Sequence, residues 1–169
     1  MLALVLIVAA AGCGGGGSSV PDSAIAVVAD ETVPVAAFDA QMAQTRRAYR
    51  AQGRPFPAQG SASYERLKAG AVRLLVERTQ LELVARKHGI EIQPAQVERR
   101  LRSFKQTTFA GSEARYRARL RLVGMTGAEV RRALRVELLV AALKRADPAA
   151  LKTRLPVVYA KEFAPANAR

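Results

Sequence analysis

The sequence has little of what enzymes and disulfide-bonded domains are built from: no tryptophan, one cysteine and one histidine among 169 residues. A single cysteine excludes a disulfide within the chain. One cysteine and one histidine also supply neither the nucleophile and base of a hydrolase nor the ligand spacing of a zinc site. Aromatic residues make up 5% of the chain, so its core must be aliphatic. We therefore expect a domain without a metal ion, a cofactor or a catalytic centre.

Acidic residues are also scarce, since 14 Asp and Glu stand against 27 Lys and Arg for a net charge of +13. This excess favours anionic partners: phospholipid headgroups, acidic polypeptides, cell-wall polymers or nucleic acid. An arginine-rich composition can equally follow from nucleotide composition, so the charge alone does not choose among them. Glu82 and Glu98 each precede an arginine by four residues on predicted helices. Such acids are expected to be solvated helical ion-pair partners and not a carboxylate pair for glycoside hydrolysis.

The N-terminus is an apolar run over residues 2–11 that ends at Gly12 and Cys13. At about 1.5 Å per residue it covers roughly half of a ~30 Å bilayer core, which is typical of a signal peptide and not of a membrane-spanning helix. The stretch Ala-Ala-Gly-Cys at 10–13 resembles a bacterial lipobox and implies a diacylglyceryl group on Cys13. We expect the protein to be exported and anchored by this lipid to the outer face of the cell membrane. The alternative is that Cys13 is an ordinary residue of an N-terminal tail.

Changes in composition divide the chain into four segments. The predicted segments are a signal peptide at 1–12, a flexible Gly/Ser linker at 13–23, a folded domain at 24–147 and a C-terminal tail at 148–169. The domain opens with an apolar, β-branched run at 24–29, followed by a turn at 30–32 and a short strand at 33–35. Pro34 restricts the second strand to a sheet edge. The tail contains a run at 157–159 that is compatible with a third strand.

Helical periodicity and capping residues predict five helices after the hairpin. They are expected at 37–51, at 64–87 with Ser63 as N-cap, from Pro94, from Ser112–Glu113, and at 127–146 behind a Thr126–Glu129 capping box. Residues 115–122 alternate strictly between basic and other side chains, which by period alone indicates a strand. The serine before this segment and the glycine after it favour a helix. The fold class is therefore mainly α, a bundle of five to six helices with a short N-terminal β-hairpin.

Three stretches of this chain resemble a known family. They are Leu75-Val76-Glu77-Arg78, the end of the same helix through Gly89-Ile90, and Gly124-Met125-Thr126 followed by Glu129-Val130. In order and spacing they are similar to the N-terminal module of SurA/PrsA-type extracytoplasmic foldases, over roughly residues 25–146. Members of that family usually continue into a parvulin-type prolyl isomerase domain, which is larger than the segment after residue 146. The resemblance implies a chaperone-like module without isomerase activity.

Two functions follow as hypotheses. The first is binding of unfolded or newly exported polypeptides through apolar contacts, without catalysis. Phe56 and Phe109, in predicted loops, are the preferred contacts, and core packing is the alternative for all candidates. The full set of candidate contacts is Met42, Phe56, Phe104, Phe109, Tyr116 and Met125. The second hypothesis is a basic envelope lipoprotein that binds anionic lipid or cell-wall polymer. Nucleic acid is not expected as a partner, because export removes it and no aromatic stacking platform is evident.

Overall fold

The computed structural model describes residues 20–165. The predicted signal peptide, Cys13, most of the linker and residues 166–169 lie outside this range. The strands are β1 (Ala24–Val28), β2 (Glu31–Pro34) and β3 (Val157–Tyr159). The helices are α1 (Val35–Ala51), α2 (Ala62–Lys87), α3 (Pro94–Phe109), α4 (Glu113–Val123) and α5 (Gly127–Ala146), with short 3₁₀ turns at Pro148–Lys152 and Lys161–Phe163. The predicted fold class, mainly α with a small sheet, is confirmed.

The hairpin forms as predicted, with a tighter turn. Ala29 and Asp30 connect the strands, and Ala29 adopts a left-handed conformation with φ of 55°. Two-residue hairpin loops require positive φ because their twist must match that of the strands. The predicted turn at 30–32 is therefore displaced toward the N-terminus, since Glu31 already pairs with Val28. Pro34 lies on an edge strand, in a sheet of order β2-β1-β3.

The segment expected to be a tail packs into this sheet. β3 runs antiparallel to β1, with Val157 opposite Val28 and Tyr159 opposite Ala26. The Phe163 ring then meets Phe38 of α1 edge-to-face, with ring centroids 5.0 Å apart. A three-residue strand has no periodicity of its own, and its partner lies at the other end of the sequence. Residues 148–165 consequently belong to the same packed structure as the helices.

Two helix starts differ from their predicted positions. α1 begins at Val35, directly after β2, with no capping side chain. α2 begins at Ala62, and its N-cap is Ser61, whose Oγ accepts a hydrogen bond from the Tyr64 amide at 3.2 Å. The prediction of Ser63 as N-cap is wrong, because Ser63 lies inside the first turn. Either serine satisfies the sequence rule, but only Ser61 has the extended backbone of an N-cap, with φ of −72° and ψ of 152°.

The remaining helices form at the expected places. Pro94 occupies the first turn of α3, and Thr126 and Glu129 cap α5 reciprocally. The ambiguous alternating segment is helical: Ser112 caps α4, and Gly124 ends it with φ of +68°. A Cβ at Gly124 would lie 2.6 Å from the Arg47 carbonyl carbon, so the end of α4 packs directly on the backbone of α1.

Helix α2 connects two hydrophobic cores. Its Val72, Leu75 and Val76 pack with the sheet and with α1. Its Val84 and Ala85 pack with α3, α4 and α5 in the second core. No helix within residues 20–165 is both long enough and apolar enough to cross a bilayer.

Candidate functional site

An open groove of about 670 Å³ lies where α1, α2, α5 and the first 3₁₀ turn meet. Its apolar lining comes mainly from two helices. α2 contributes Leu74, Leu81 and Val84, and α5 contributes Ala133, Val136 and Val140. Steps of three, four and seven residues place side chains on one face of a helix. Each helix therefore presents an apolar stripe to the same groove.

Part of this lining is exposed to solvent. The Leu74 side chain is 42% exposed and Val140 is 37% exposed, although both are large aliphatic residues within packed helices. Exposed apolar groups that line a concave surface rimmed by polar residues are typical of binding sites. Covering them would remove apolar surface from water, which is favourable by about 25 cal/mol per Å².

The rim of the groove carries neutral hydrogen-bonding groups as well as charges. Gln41 and Gln44 of α1 and Gln80 of α2 all line it. A glutamine amide both donates and accepts hydrogen bonds, so it can pair with the N–H or the C=O of a bound main chain. An extended peptide brings unpaired backbone groups that need such partners. These amides do not discriminate among side chains, so the rim suits polypeptides of varied sequence.

A buried carboxylate at the edge of the groove holds α1 and α5 together. Glu129 is 6% exposed and accepts a hydrogen bond from the Thr126 amide at 2.7 Å through Oε2. Its Oε1 is paired with the Arg47 guanidinium of α1. The sequence predicted the capping box but not the arginine, which lies 82 residues away along the chain.

The candidate contact residues lie in different surroundings. Met125 lines the groove. Met42 and Tyr116 are buried, at 7% and 4% exposure, within the two cores. The prediction that Phe109 lies in a loop is wrong, because Phe109 is the last residue of α3. Its ring lies edge-to-face between Phe104 and Tyr116, with centroids 5.6 and 5.7 Å away.

Phe56 folds back from its loop onto helix side chains. Its ring lies edge-to-face with Tyr49 and Tyr64, at 5.5 and 6.3 Å, and the Arg46 guanidinium stands 4.8 Å from its centroid. Of the six candidates, Met125 lines the groove and Met42 is buried in the core between the sheet and the first two helices. The other four form two aromatic clusters away from the groove: Phe104 and Phe109 pack with Tyr116, and Phe56 packs with Tyr49 and Tyr64. That any of the six contacts a client stays a prediction.

The sequence did not predict Leu74, Leu81, Val136 or Val140 as lining residues of a binding groove. One signal for them was present: the apolar residues of α2 cover an arc too wide for a single packing partner. That pattern predicts several neighbours around the helix, but it does not say that one side of the arc remains open. The open side depends on the position of α5, which short-range periodicity does not determine.

A second concavity of about 740 Å³ lies beside Tyr159 and Phe163. Charged side chains contribute much of its lining: Glu65, Arg66, Lys68, Arg73 and Glu162. None of the large hydrophobic residues that the described chain exposes lines it. The first groove is therefore the better candidate for apolar ligands.

Several acidic residues join one helix or strand to another. The Glu98 carboxylate of α3 accepts from Arg131 Nε of α5 at 2.5 Å, and this hydrogen bond lowers the pKa of Glu98. Arg86 pairs with Glu31 of β2 at 3.4 Å. The predicted ion pairs of Glu82 with Arg86 and of Glu98 with Arg102 are thus replaced by contacts between elements. Across the described range, no three His, Cys, Asp or Glu side chains are grouped as metal ligands would be.

Comparison with known proteins gives one match. A family model described as a SurA-like N-terminal domain matches residues 1–144, which is most of the chain. No curated protein and no solved structure matches this chain. The order of hairpin and helices, the stretches along α2 and the Gly124–Glu129 step agree with this assignment. The chain belongs to the family of SurA-like N-terminal domains.

Proposed function

We propose that this domain binds unfolded or extended polypeptides in the groove between α2 and α5, as a chaperone-like module without catalysis. The observation that carries the proposal is the solvent-exposed apolar lining, in particular Leu74 and Val140. Membership of a chaperone-type family supports the same class of ligand.

The size of the groove suits weak and reversible binding. A volume of about 670 Å³ accommodates a few side chains of a client and not a folded domain. Burial of one aliphatic or aromatic side chain contributes about 1.5–3 kcal/mol, and ordering an unfolded segment opposes it. The glutamine rim adds contacts to the client backbone.

We further propose that the domain works outside the cytoplasm, held to the outer face of the cell membrane through a lipid on Cys13. The apolar run at 2–11 and the Ala-Ala-Gly-Cys stretch support this location. A Gly/Ser spacer between the lipid and the domain would let the groove meet newly exported chains near the membrane. No prolyl isomerisation is expected, and this also stays a prediction.

Substitution in the groove tests the polypeptide-binding proposal. Leu74→Glu and Val140→Glu place a carboxylate in the apolar lining, and each side chain is exposed enough for the fold to survive. We expect either variant to lose most of the wild-type suppression of aggregation of an unfolded test protein, measured by light scattering at near-stoichiometric ratio.

Leu122→Glu is the matched control, because Leu122 is 60% exposed and lies on α4, away from the groove. It should suppress aggregation as the wild type does. If all three variants behave alike, or if the wild type is inactive at both low and high salt, the groove does not bind unfolded chains.

A further inference from the structure

The exposed face of α4 carries a cluster of arginines, most of which form no ion pair within the described chain. Arg115, Arg117, Arg119 and Arg121 are all exposed, whereas Glu113 is the helix's single acid. Glu113 is occupied by Lys105 at 2.7 Å and by Arg117 at 3.1 Å. Within residues 20–165, no carboxylate lies within 4.0 Å of Arg115, Arg119 or Arg121. Three guanidinium groups therefore face solvent without an acidic partner.

An apolar line runs between these arginines. Tyr116 and Leu120 turn toward the core, while Ala114, Ala118 and Leu122 recur every four residues on the opposite, exposed face. Leu122 is 60% exposed, the highest value among the exposed large hydrophobics of the described chain. At 100° per residue, Arg115 and Arg119 lie on one side of this line, and Arg117 and Arg121 lie on the other.

A helix of this pattern fits the surface of an anionic bilayer. Helices that lie in a membrane interface bury an apolar line and place basic residues on its flanks, where the long side chains reach the headgroups. An acidic polypeptide would pair with the arginines equally well, but a bilayer also offers an apolar layer beneath its headgroups for the exposed Leu122 near the end of the helix. We propose that α4 is a contact site for anionic phospholipid headgroups, with Leu122 inserted between them.

This site is separate from the proposed polypeptide groove. The groove lining comes from α1, α2, α5 and the residues around them, together with Met125, and none of it comes from α4. Binding of α4 to a bilayer would orient the domain on the membrane surface. Neither occupancy of the groove nor a lipid on Cys13 is required for it.

The absence of tryptophan from the chain allows a local optical test. Leu122→Trp, in the full-length protein, places one reporter at the most exposed apolar position of the face, near its C-terminal end. Val158→Trp is the matched control, because Val158 is 42% exposed but lies on β3. Each variant is mixed with vesicles of phosphatidylglycerol and phosphatidylcholine or of phosphatidylcholine alone. An N-terminal anchor, if present, delivers the protein to both kinds of vesicle.

We expect the emission of Leu122→Trp to shift to shorter wavelength on phosphatidylglycerol vesicles and to be quenched by bromine-labelled acyl chains. The shift should be absent on phosphatidylcholine and reversed by high salt, since the Debye length falls from ~8 Å at physiological ionic strength to ~3 Å at 1 M. Adding Arg115→Gln, Arg119→Gln and Arg121→Gln together should weaken the response roughly a hundredfold in lipid concentration, at about fivefold per arginine. Circular dichroism checks the fold of this variant, and Arg119→Gln alone replaces it if it unfolds.

Three results would overturn the proposal. The first is an unchanged Leu122→Trp spectrum on phosphatidylglycerol, and the second is an equal shift on both vesicle types or at both reporter positions. The third is a shift with soluble poly-glutamate but not with phosphatidylglycerol, which would identify the face as a site for acidic polypeptide.

Discussion

The Arg47–Glu129 pair shows how one interaction depends on two distant parts of the chain. Glu129 is the single charged residue that the structure buries within residues 20–165, and Arg47 is 41% exposed. Removing one partner of a buried pair leaves the other charge without compensation, at a cost of up to about 3–5 kcal/mol. Water can reach this pair from the Arg47 side. We therefore expect Arg47→Ala to lower the free energy of unfolding by about 2–3 kcal/mol.

Urea unfolding followed by circular dichroism measures this change. Arg50→Ala serves as the control, because Arg50 is exposed on the same helix and forms none of the ion pairs seen in the described chain. Its effect should stay within about 0.5 kcal/mol. Equal losses for the two variants would mean that Glu129 does not depend on Arg47.

Two glycines allow backbone strain to be separated from steric exclusion. Gly53 and Gly124 have nearly the same φ, +65° and +68°. A Cβ at Gly53 meets open space, but one at Gly124 lies 2.6 Å from the Arg47 backbone. Alanine at a left-handed position costs about 1–2 kcal/mol.

We expect Gly53→Ala to lose about this amount, and Gly124→Ala to lose at least 1 kcal/mol more because α4 must move away from α1. Thermal unfolding of the two variants measures the difference. Equal midpoints would show that the α1–α4 contact yields without cost.

At the scale of elements, hydrogen-bonded carboxylates make the helix contacts sensitive to acid. The hydrogen bond from Arg131 lowers the pKa of Glu98 below its ordinary value of 4.5. Hydrogen bonds from Lys105 and then Arg117 lower the pKa of Glu113 in the same direction. The Glu98–Arg131 pair joins α3 to α5, and the Glu113–Lys105 pair joins α4 to α3. Because both pKa values are lower in the folded chain, the stability that they contribute is present above about pH 4.5 and is lost as the pH falls below it.

The double variant Glu98→Gln, Glu113→Gln should therefore be less stable than the wild type at pH 7 and should lose less stability between pH 5 and pH 3. Unfolding in urea at a series of pH values measures both slopes. Both sites are open to solvent, so the effect should shrink in high salt. Parallel slopes for variant and wild type would contradict the assignment.

Elements with strong local signals were predictable from the sequence, whereas for the possible strand at 157–159 the sequence indicated the strand but not its partner. The strict alternation in 115–122 indicated a strand, yet Ser112 and Gly124 correctly favoured a helix, because caps satisfy backbone groups that periodicity ignores. β3 has three residues and depends on β1 for its hydrogen bonds. The groove was not predictable for a similar reason. The contacts predicted from the sequence were mainly aromatic, whereas the exposed lining of the groove is aliphatic and depends on how α5 packs against α2.

At the scale of the whole molecule, the apolar groove and the unpaired positive charge lie on different surfaces. The apolar groove lies between α2 and α5, whereas the unpaired arginines of α4 lie outside it. A single domain could therefore contact a membrane and a client at the same time. The proposed lipid anchor would support such an arrangement, because it raises the local concentration of the domain at the bilayer. A weak contact between α4 and the headgroups would then be enough to orient the domain.

The anchor is itself open to a direct test. If Cys13 carries a diacylglyceryl group, cells grown with a labelled fatty acid should yield labelled protein in the membrane fraction, since two acyl chains at ~0.8 kcal/mol per buried CH₂ hold a protein stably. Cys13→Ser should abolish the label, because a serine hydroxyl does not replace the thiol that is alkylated. Ser18→Ala, in the predicted spacer, should keep it. Unlabelled wild-type protein in the soluble fraction would make Cys13 an ordinary residue of an N-terminal tail, and any membrane contact would then rest on α4 alone.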